Sequence, residues 1–286
     1  MIVPFGSAGA TDIVARLIGQ WLSERLGQSF VIAGAGGNLG IEALVRSPPD
    51  GYALAVIGLP SAINVTLYDN LSFNLTSDIE PVASVVRFPN VMVVNPSLPA
   101  ATVPEFIAYA KANPGKLNMS SPGNGSTPHV FGELFKMMTG VNMVHVPYRS
   151  VAAGLTDMLS GLVQVTFGTS ASTIEYVRAG TLRAVAVTTA KRSDALPELP
   201  TIAEFVPGYE ASAWFGVAAP KGTPREIVER LNAEINASLA DPKLNARLAD
   251  LGGVALVGSS DDFRRLIVEE ISKWASVVKF SGAKAQ

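Results

Sequence analysis

Residues 116–138, KLNMSSPGNGSTPHVFGELFKMM, contain the unit from which the fold is predicted. KLNMSS alternates apolar and polar side chains, which is typical of a strand. PGNGS follows as a loop of turn-forming residues, and Thr127 is the predicted N-cap of a helix whose first residue is Pro128. The apolar stripe of that helix is Val130, Phe131, Leu134, Phe135 and Met138. The stretch therefore predicts a strand, a loop and a helix in that order.

The same alternation of β-branched runs and helical patterns recurs along nearly the whole chain, which predicts an α/β fold with parallel sheets. Two extended segments, near 86–96 and 210–219, interrupt it and predict strands that cross between two lobes. We predict a first lobe of 1–95 plus 216–286 and an inserted second lobe of 96–215. The two crossover strands would form a hinge, with a cleft between the lobes. The alternative is one continuous doubly wound sheet, but the chain length favours two cores.

Composition excludes several classes of protein. The chain has 286 residues, of which 48% are hydrophobic and 16% charged, and its mean hydropathy is +0.30, which is typical of a well-buried globular protein. The net charge of -2 and the pI of about 5.8 give no nucleic-acid footprint. The chain contains no cysteine, so disulfides, thiolate metal sites and cysteine nucleophiles are excluded. No apolar run approaches the ~20 residues of a membrane span.

A loop near the start of the chain, PFGSAGATD at 4–12, is the first candidate binding element. It is rich in glycine and small side chains that leave N–H groups unshielded, with Thr11 as the predicted N-cap and Asp12 in the first helical turn. An exposed helix N-terminus is an anion site, although an ordinary strand-to-helix turn has the same composition. The predicted ligand-binding residues of this loop are Phe5, Ser7, Ala8, Gly9, Thr11 and Asp12.

The loop of the opening stretch repeats this construction, with Gly125, Ser126, Thr127 and His129 as predicted ligand-binding residues. Two helix ends that face a cleft suit a ligand with two anionic groups, or one with a carboxylate and a polar tail. Neither loop contains lysine or arginine, so recognition would depend on N–H and hydroxyl donors.

Further candidate ligand-binding residues stand at the ends of other predicted strands. Open α/β sheets bind ligands at the carboxyl ends of their strands. The candidates there are Tyr148, Thr169 and Ser170, with helix capping as the alternative for the two hydroxyls, and Ser61 completes the predicted set.

The chain has few side chains that could act as a catalytic base or nucleophile. The chain has two histidines, of which His145 lies within a predicted strand and is assigned to packing. An enzyme of the hydrolase or isomerase type would use His129 with Asp12 or Glu133, and His129 with Glu133 would be a weak metal pair. The G-x-S-x-G, H-E-x-x-H and phosphate-loop motifs are absent, and GAGGNLG at 34–40 misses the dinucleotide-binding spacing by one residue. We therefore predict no enzyme activity, no cofactor and no metal.

Taken together, these residues resemble the solute-binding proteins of tripartite tricarboxylate transporters, the TctC or Bug family. The matching stretches run in order over nearly the whole chain and include IVPFGSAGATDIVARLIG, GAGGNLGIEAL, SPGNGSTPHVFGELFKMMTGVNMVHVPYRS, GLTDMLSGLVQVTF, AGTLRAVAVTT and LPTIAEFVPGYEASAWFGVAAPKGTP. The sequence departs from the family pattern at Ala8 and Ser150, where glycine is usual, and these departures bear on the choice of ligand.

The resemblance implies a type II periplasmic-binding-protein fold that closes on its ligand like a flytrap. It implies a periplasmic protein, whose leader peptide is not part of this sequence, that delivers a small organic carboxylate to a membrane transporter of one large and one small subunit. We also predict that the protein is a monomer. The loops Ser7–Asp12 and Gly123–His129 would hold the ligand carboxylates. The effector domain of a transcriptional regulator has the same fold, but the chain has no DNA-binding segment.

Overall fold

The computed structural model describes residues 1–4, 10–34, 37–194 and 196–285 and confirms the predicted α/β class. The strands in this part of the chain are β1 Ile2–Val3, β2 Ala33–Gly34, β3 Ala55–Gly58, β4 Ile79–Val94, β5 Leu117–Ser121, β6 Met143–Pro147, β7 Val165–Thr169, β8 Arg183–Val187, β9 Ser212–Pro220 and β10 Val254–Ala255. The α-helices are α1 Ala10–Leu26, α2 Gly37–Val45, α3 Leu59–Leu67, α4 Val103–Ala112, α5 Thr127–Thr139, α6 Val151–Leu159, α7 Ser170–Arg178, α8 Arg225–Ala240, α9 Pro242–Asp250 and α10 Ser260–Ser281.

The chain divides into two compact units, Met1–Arg87 with Trp214–Ala275 and Phe88–Ala213 with Ser276–Gln286. Two of the three internal boundaries fall within β4 and β9, and the third falls within α10. Residues 276–286 group with the second unit, whereas the predicted first lobe runs to residue 286. The predicted lobe boundaries stay a prediction.

The first unit is built on a mixed sheet. Strands β2, β1 and β3 are parallel, β9 runs antiparallel to β3, and β4 follows β9 with β10 antiparallel on its other side. Trp214 packs edge-to-face on Phe263 with ring centroids 5.7 Å apart. Gly216 lies so close to this pair that a Cβ would be 2.3 Å from the Phe263 ring and 2.6 Å from the Ala83 carbonyl oxygen. The close fit requires glycine at this point of β9.

The second unit has its own mixed sheet, in which β6, β5 and β7 are parallel and β4 is antiparallel to both β7 and β8. Its core contains Phe135 of α5, whose ring contacts those of Phe106, Phe167 and Tyr209 at 5.9, 5.6 and 6.2 Å between centroids. The Tyr209 hydroxyl donates to the Phe131 carbonyl at 3.0 Å. These contacts seat α5 on the sheet and fix the position of the loop before it.

One local prediction is corrected near the C-terminus. The sequence pattern predicts one long helix from Pro224 to about Leu251, but the chain forms α8 and α9 with a break at Asp241. Pro242 has no N–H to continue α8, and Asp241 caps α9 by accepting two backbone N–H bonds at 3.0 Å. In the described residues no helix combines the length and hydropathy that a membrane span requires.

Candidate functional site

The loop between β5 and α5, residues 122–126, is closed by hydrogen bonds among its own groups. Ser126 Oγ donates to the Gly123 carbonyl at 2.6 Å, and the Ser126 N–H donates to the same oxygen at 3.3 Å. Gly123 and Gly125 have φ angles of 118° and 76°, which residues with a Cβ adopt only with strain. The loop therefore has a defined shape that requires both glycines, and the Ser126 hydroxyl proton is used within it.

Helix α5 begins one residue earlier than predicted. Thr127 is its first residue and Ser126 is the N-cap, whereas the sequence pattern placed the cap at Thr127. The Ser126 side chain accepts no hydrogen bond from the first turn, since its oxygen faces Gly123. The first N–H groups of a helix have no intrahelical acceptor. Pro128 has no backbone N–H, so it contributes no donor. The backbone N–H groups of Thr127 and His129 are thus the donors at this helix start that have no intrahelical acceptor.

His129 lies beneath the loop and is only 2% exposed. Its Nδ1 accepts the Gly125 N–H at 3.1 Å, and its ring stacks on that of His145 with centroids 3.9 Å apart and 27° between the planes. Burial is the main cause that lowers the pKa of His129 to about 3 and that of His145 to about 4, and Lys136 lowers both further. Both rings are neutral at pH 7, and the Gly125 amide that was predicted for the ligand is used by His129.

Glu133 lies one turn further along α5 and is equally buried. Its Oε1 accepts Lys136 Nζ at 2.8 Å and lies 3.9 Å from His129 Nε2, while Oε2 has no hydrogen-bond partner among the described residues. Burial raises the pKa of the Glu133 carboxyl, against the opposing effect of Lys136. Because His129 is neutral, its contact with Glu133 is not an ion pair.

This geometry does not suit the enzyme alternative based on His129. A general base works best with a pKa near the operating pH, and the pKa of His129 is about 3. Its Nδ1 lone pair is also occupied by the Gly125 N–H. Within the described residues, no three histidine, aspartate or glutamate side chains are grouped so that they could hold a metal ion.

Ser121 and His145 adjoin the loop and are not among the residues that the sequence analysis predicted for the site. Ser121 Oγ lies 2.6 Å from His145 Nε2, donates to the Gly123 carbonyl at 3.0 Å and accepts the Gly123 N–H at 3.2 Å. His145 was assigned to packing, but through Ser121 it holds the start of the loop. In the sequence His129 lies within this strand–loop–helix unit and His145 in the strand that follows it, and nothing in that spacing indicates their contact.

Tyr148 also adjoins the loop, because its N–H donates to the Ser121 carbonyl at 2.8 Å. Its hydroxyl donates to Asp157 Oδ2 at 2.8 Å. Burial, followed by this hydrogen bond, raises the pKa of Tyr148 to about 12. Because the hydroxyl proton is used by Asp157, Tyr148 offers a ligand an acceptor oxygen rather than the donor that a carboxylate requires.

Thr169 and Ser170 stand where β7 gives way to α7. Thr169 is the N-cap residue but its hydroxyl donates to Ser172 Oγ at 2.9 Å, and Ser170 is buried. Asn90 of β4 pairs with Thr169, and its Nδ2 donates to the Phe167 carbonyl at 2.7 Å. Because that carbonyl is only an acceptor, the amide orientation is defined, and Asn90 Oδ1 is a buried acceptor without a partner among the described residues.

In the first unit, Phe5, Ser7, Ala8 and Gly9 lie outside the described residues. Helix α1 begins at Ala10, which makes Thr11 its second residue rather than the predicted N-cap. Thr11 and Asp12 are both buried, and Asp12 Oδ2 accepts Arg16 Nε at 3.0 Å. The Asp12 charge is therefore balanced within its own helix.

Ser61 lies in the first turn of α3, after β3. It is fully buried, and its Oγ has no hydrogen-bond partner among the described residues. Asn64 of the same helix donates through Nδ2 to Asn38 Oδ1 of α2 at 2.8 Å. A buried hydroxyl without a partner carries a free-energy cost, which a bound polar group would remove.

The predicted residues that the structure describes follow the carboxyl ends of parallel strands in each unit. In the second unit, the elements that carry Gly125 to His129, Tyr148 and Thr169 to Ser170 follow the parallel strands β5, β6 and β7. In the first unit, Thr11 to Asp12 and Ser61 follow the parallel neighbours β1 and β3. The carboxyl ends of parallel strands are the ligand-binding edge of α/β sheets.

Comparison with known proteins gives consistent matches. The family model described as "Tripartite tricarboxylate transporter family receptor", TctC, matches residues 14–282. Protein BugT of Bordetella pertussis is 36% identical over 290 residues, which cover 99% of this chain and 89% of that protein. R. palustris Rpa4515, solved with adipate, is 40% identical with a TM-score of 0.86, over 99% of this chain and 97% of that one. MatC of Rhodopseudomonas palustris, solved with bound malate, is 30% identical with a TM-score of 0.81, over 97% of each chain. The predicted two-lobe solute-binding fold is thereby confirmed.

Proposed function

Because this chain belongs to the tripartite tricarboxylate transporter receptor family, TctC, we propose that it captures a small carboxylate and delivers it to a membrane transporter of that type. The proposed ligand is a dicarboxylate, an aromatic acid or a related organic acid. The protein acts in the periplasm as a monomer, the transporter has one large and one small subunit, and the ligand is released without chemical change.

The start of α5 carries the proposal. Its first turn supplies the amides of Thr127 and His129, and the side chain of the cap residue Ser126 does not occupy them. The loop before it is closed by its own hydrogen bonds, so little ordering entropy is lost when an anion binds. No lysine or arginine stands in the loop, so the carboxylate would be held by backbone N–H groups and the positive end of the helix.

A ligand with two carboxylates fits the rest of the proposed site. Adipate and malate, which accompany the R. palustris structures, are both dicarboxylates. We assign one carboxylate to the start of α5 and the other to the start of α1, where residues 5–9, Thr11 and Asp12 stand. Ser61, Thr169 and Ser170 would complete the contacts, and Tyr148 would contribute only an acceptor oxygen. The ligand would be enclosed between the two lobes by a hinge motion in β4 and β9.

The test is a thermal-unfolding panel of mono-, di- and tricarboxylates that includes adipate and malate. A ligand at one hundred times its Kd should add about 2.7 kcal/mol to the free energy of unfolding. Adipamide has the shape of adipate but no charge, so it should shift nothing. If no carboxylate stabilises the protein, or if adipamide stabilises it as well as adipate does, carboxylate capture is wrong.

Two substitutions locate the site. Ser126→Ala opens the loop and Thr11→Ala removes a hydroxyl from the first unit, and each should weaken carboxylate binding by about 1–3 kcal/mol in calorimetry. Thr156→Ala, which removes an exposed hydroxyl from α6, is the matched control and should bind as the unchanged protein does. Normal binding by both site variants would mean that the ligand binds elsewhere.

Closure has a separate measurement. The radius of gyration from small-angle scattering should fall when the ligand that scores best in the panel is added. A constant radius with full binding would contradict the hinge motion while leaving carboxylate capture intact.

A further inference from the structure

The loop of residues 122–126 is rich in glycine, and glycine loses more conformational freedom on ordering than any other residue. If the loop were ordered only by its ligand, that cost would be subtracted from the affinity. Gly123 and Gly125, the two residues with positive φ, are each tied to an imidazole. Resting on the function proposed above, we infer that His129 and His145 are positioning residues that hold this loop in its ligand-binding shape.

His129 holds the end of the loop in one tautomer only. The Gly125 N–H is a donor, so His129 Nδ1 must carry its lone pair. The proton of the neutral ring is then on Nε2, which faces Glu133 Oε1 at 3.9 Å. Glu133 Oε1 is in turn fixed by Lys136 Nζ at 2.8 Å, and this acceptor oxygen favours the proton on that side of the ring. A ring protonated on both nitrogens would set two donors against each other at Gly125.

His145 holds the beginning of the loop through Ser121. The 2.6 Å contact of His145 Nε2 fixes Ser121 Oγ, which bonds both the N–H and the carbonyl of Gly123. Because the single hydroxyl proton of Ser121 is donated to the Gly123 carbonyl, His145 Nε2 must be the protonated nitrogen that donates to Ser121 Oγ. In the other tautomer the hydroxyl would donate to His145, and the bond to the Gly123 carbonyl would be lost. The tie of His145 to Gly123 therefore needs the Ser121 oxygen, and an alanine at 121 would break it.

The stacking of the two rings couples both ends. His129 comes from α5 and His145 from β6, and their centroids are 3.9 Å apart with the planes nearly parallel. If either histidine is replaced, the remaining ring loses the stacking contact that holds its orientation. Substitutions of the two histidines should therefore be strongly non-additive in their effect on the loop.

The test compares His129→Asn with His129→Leu. Asparagine retains a side-chain acceptor for the Gly125 N–H, whereas leucine has similar volume and none. Adipate is the probe, and its Kd should rise at least ten-fold in His129→Leu but only about two-fold in His129→Asn. Thr139→Ala, at the far end of the same helix, is the control for a general loss of helix stability and should leave the Kd unchanged.

A readout on the ligand-free protein separates this inference from the proposed function. Nitrogen NMR of the imidazoles at pH 7 should show His129 protonated on Nε2 alone. Hydrogen exchange of the Gly125 amide should be slow in the unchanged protein and at least ten-fold faster in His129→Leu. If adipate does not bind the unchanged protein, the exchange result alone decides, since it needs no ligand.

The overturning results are defined in the same experiments. A proton on Nδ1 of His129, or a Gly125 amide that exchanges equally fast in the folded leucine variant, would refute the positioning role. If His129→Leu does not fold, the Ser121→Ala variant is tested in its place, because that substitution removes only the hydroxyl oxygen. That variant should speed exchange of the Gly123 amide at least ten-fold, and unchanged exchange would overturn the inference.

Discussion

Lowering the pH from 7 to 5 should destabilise the protein by about 3 kcal/mol through its two histidines. His129 and His145 are the only histidines in the chain, so this part of the pH dependence belongs to them alone. In the folded protein burial holds their pKa values at about 3 and about 4, against an ordinary value of 6.5. The unfolded chain therefore binds more protons than the folded protein in this range, and stability falls as the pH falls.

The magnitude follows from the unfolded state. Between pH 7 and 5 an exposed histidine of pKa 6.5 becomes almost fully protonated, which is worth about 2 kcal/mol when the folded form stays neutral. His129 should contribute this amount. His145 is half-buried, so solvent screening reduces its share to about 1 kcal/mol. Glu133 opposes them, because its raised pKa means that its protonation favours the folded state.

Urea denaturation at pH 7 and pH 5 measures the effect. The unchanged protein should lose about 3 kcal/mol, whereas a variant that carries both His129→Asn and His145→Asn should lose little. Because the carboxylates are the same in both proteins, the difference isolates the histidines. If the double variant folds cooperatively and loses as much stability as the unchanged protein, the two rings are not buried in their neutral form.

Three further substitutions test the packing that supports the site, each by chemical denaturation. Gly216→Ala should cost about 3 kcal/mol or prevent folding, because the new Cβ overlaps the Phe263 ring, and a neutral result would contradict the close packing of β9. Asp241→Ala should cost about 1 kcal/mol by removing the cap of α9, whereas Asp241→Asn should retain most of it. Tyr209→Phe should cost about 1 kcal/mol through the lost hydrogen bond to Phe131, and a gain in stability would show that this bond is not formed.

The strand–loop–helix unit of the second unit could be predicted because its signals are local. Alternating residues, two glycines, and Thr127 followed by proline identify β5, the loop and α5 without any distant contact. The cap was displaced by one residue, since the Ser126 hydroxyl bonds to Gly123 inside the loop instead of to the helix. Boundaries depend on such competition between nearby acceptors, which residue type alone does not decide.

The role of His145 could not be predicted because it depends on the pairing of two strands. Only the register of β5 beside β6, which sets Met119 next to His145, brings this ring under the loop and within reach of Ser121. Alternation along one strand says which side a residue faces, but not which residue lies across from it. The break between α8 and α9 at Asp241 could have been predicted from local sequence. An aspartate followed by a proline is a signal for a new helix start, but the continuous apolar pattern of residues 224–251 favoured one helix.

In the loop of residues 122–126 and the helix start after it, the residues that set the backbone shape differ from the residue proposed to contact the ligand. The protein is therefore a practical starting point for engineering. Gly123, Gly125 and the two imidazoles determine the backbone path. Every residue except proline supplies a backbone N–H at position 127, so this position can be varied among the other residues while the path is kept. A library that varies position 127 and leaves the other four residues intact would sample new ligands on an unchanged frame, and inactive members would report on recognition instead of on a collapsed loop.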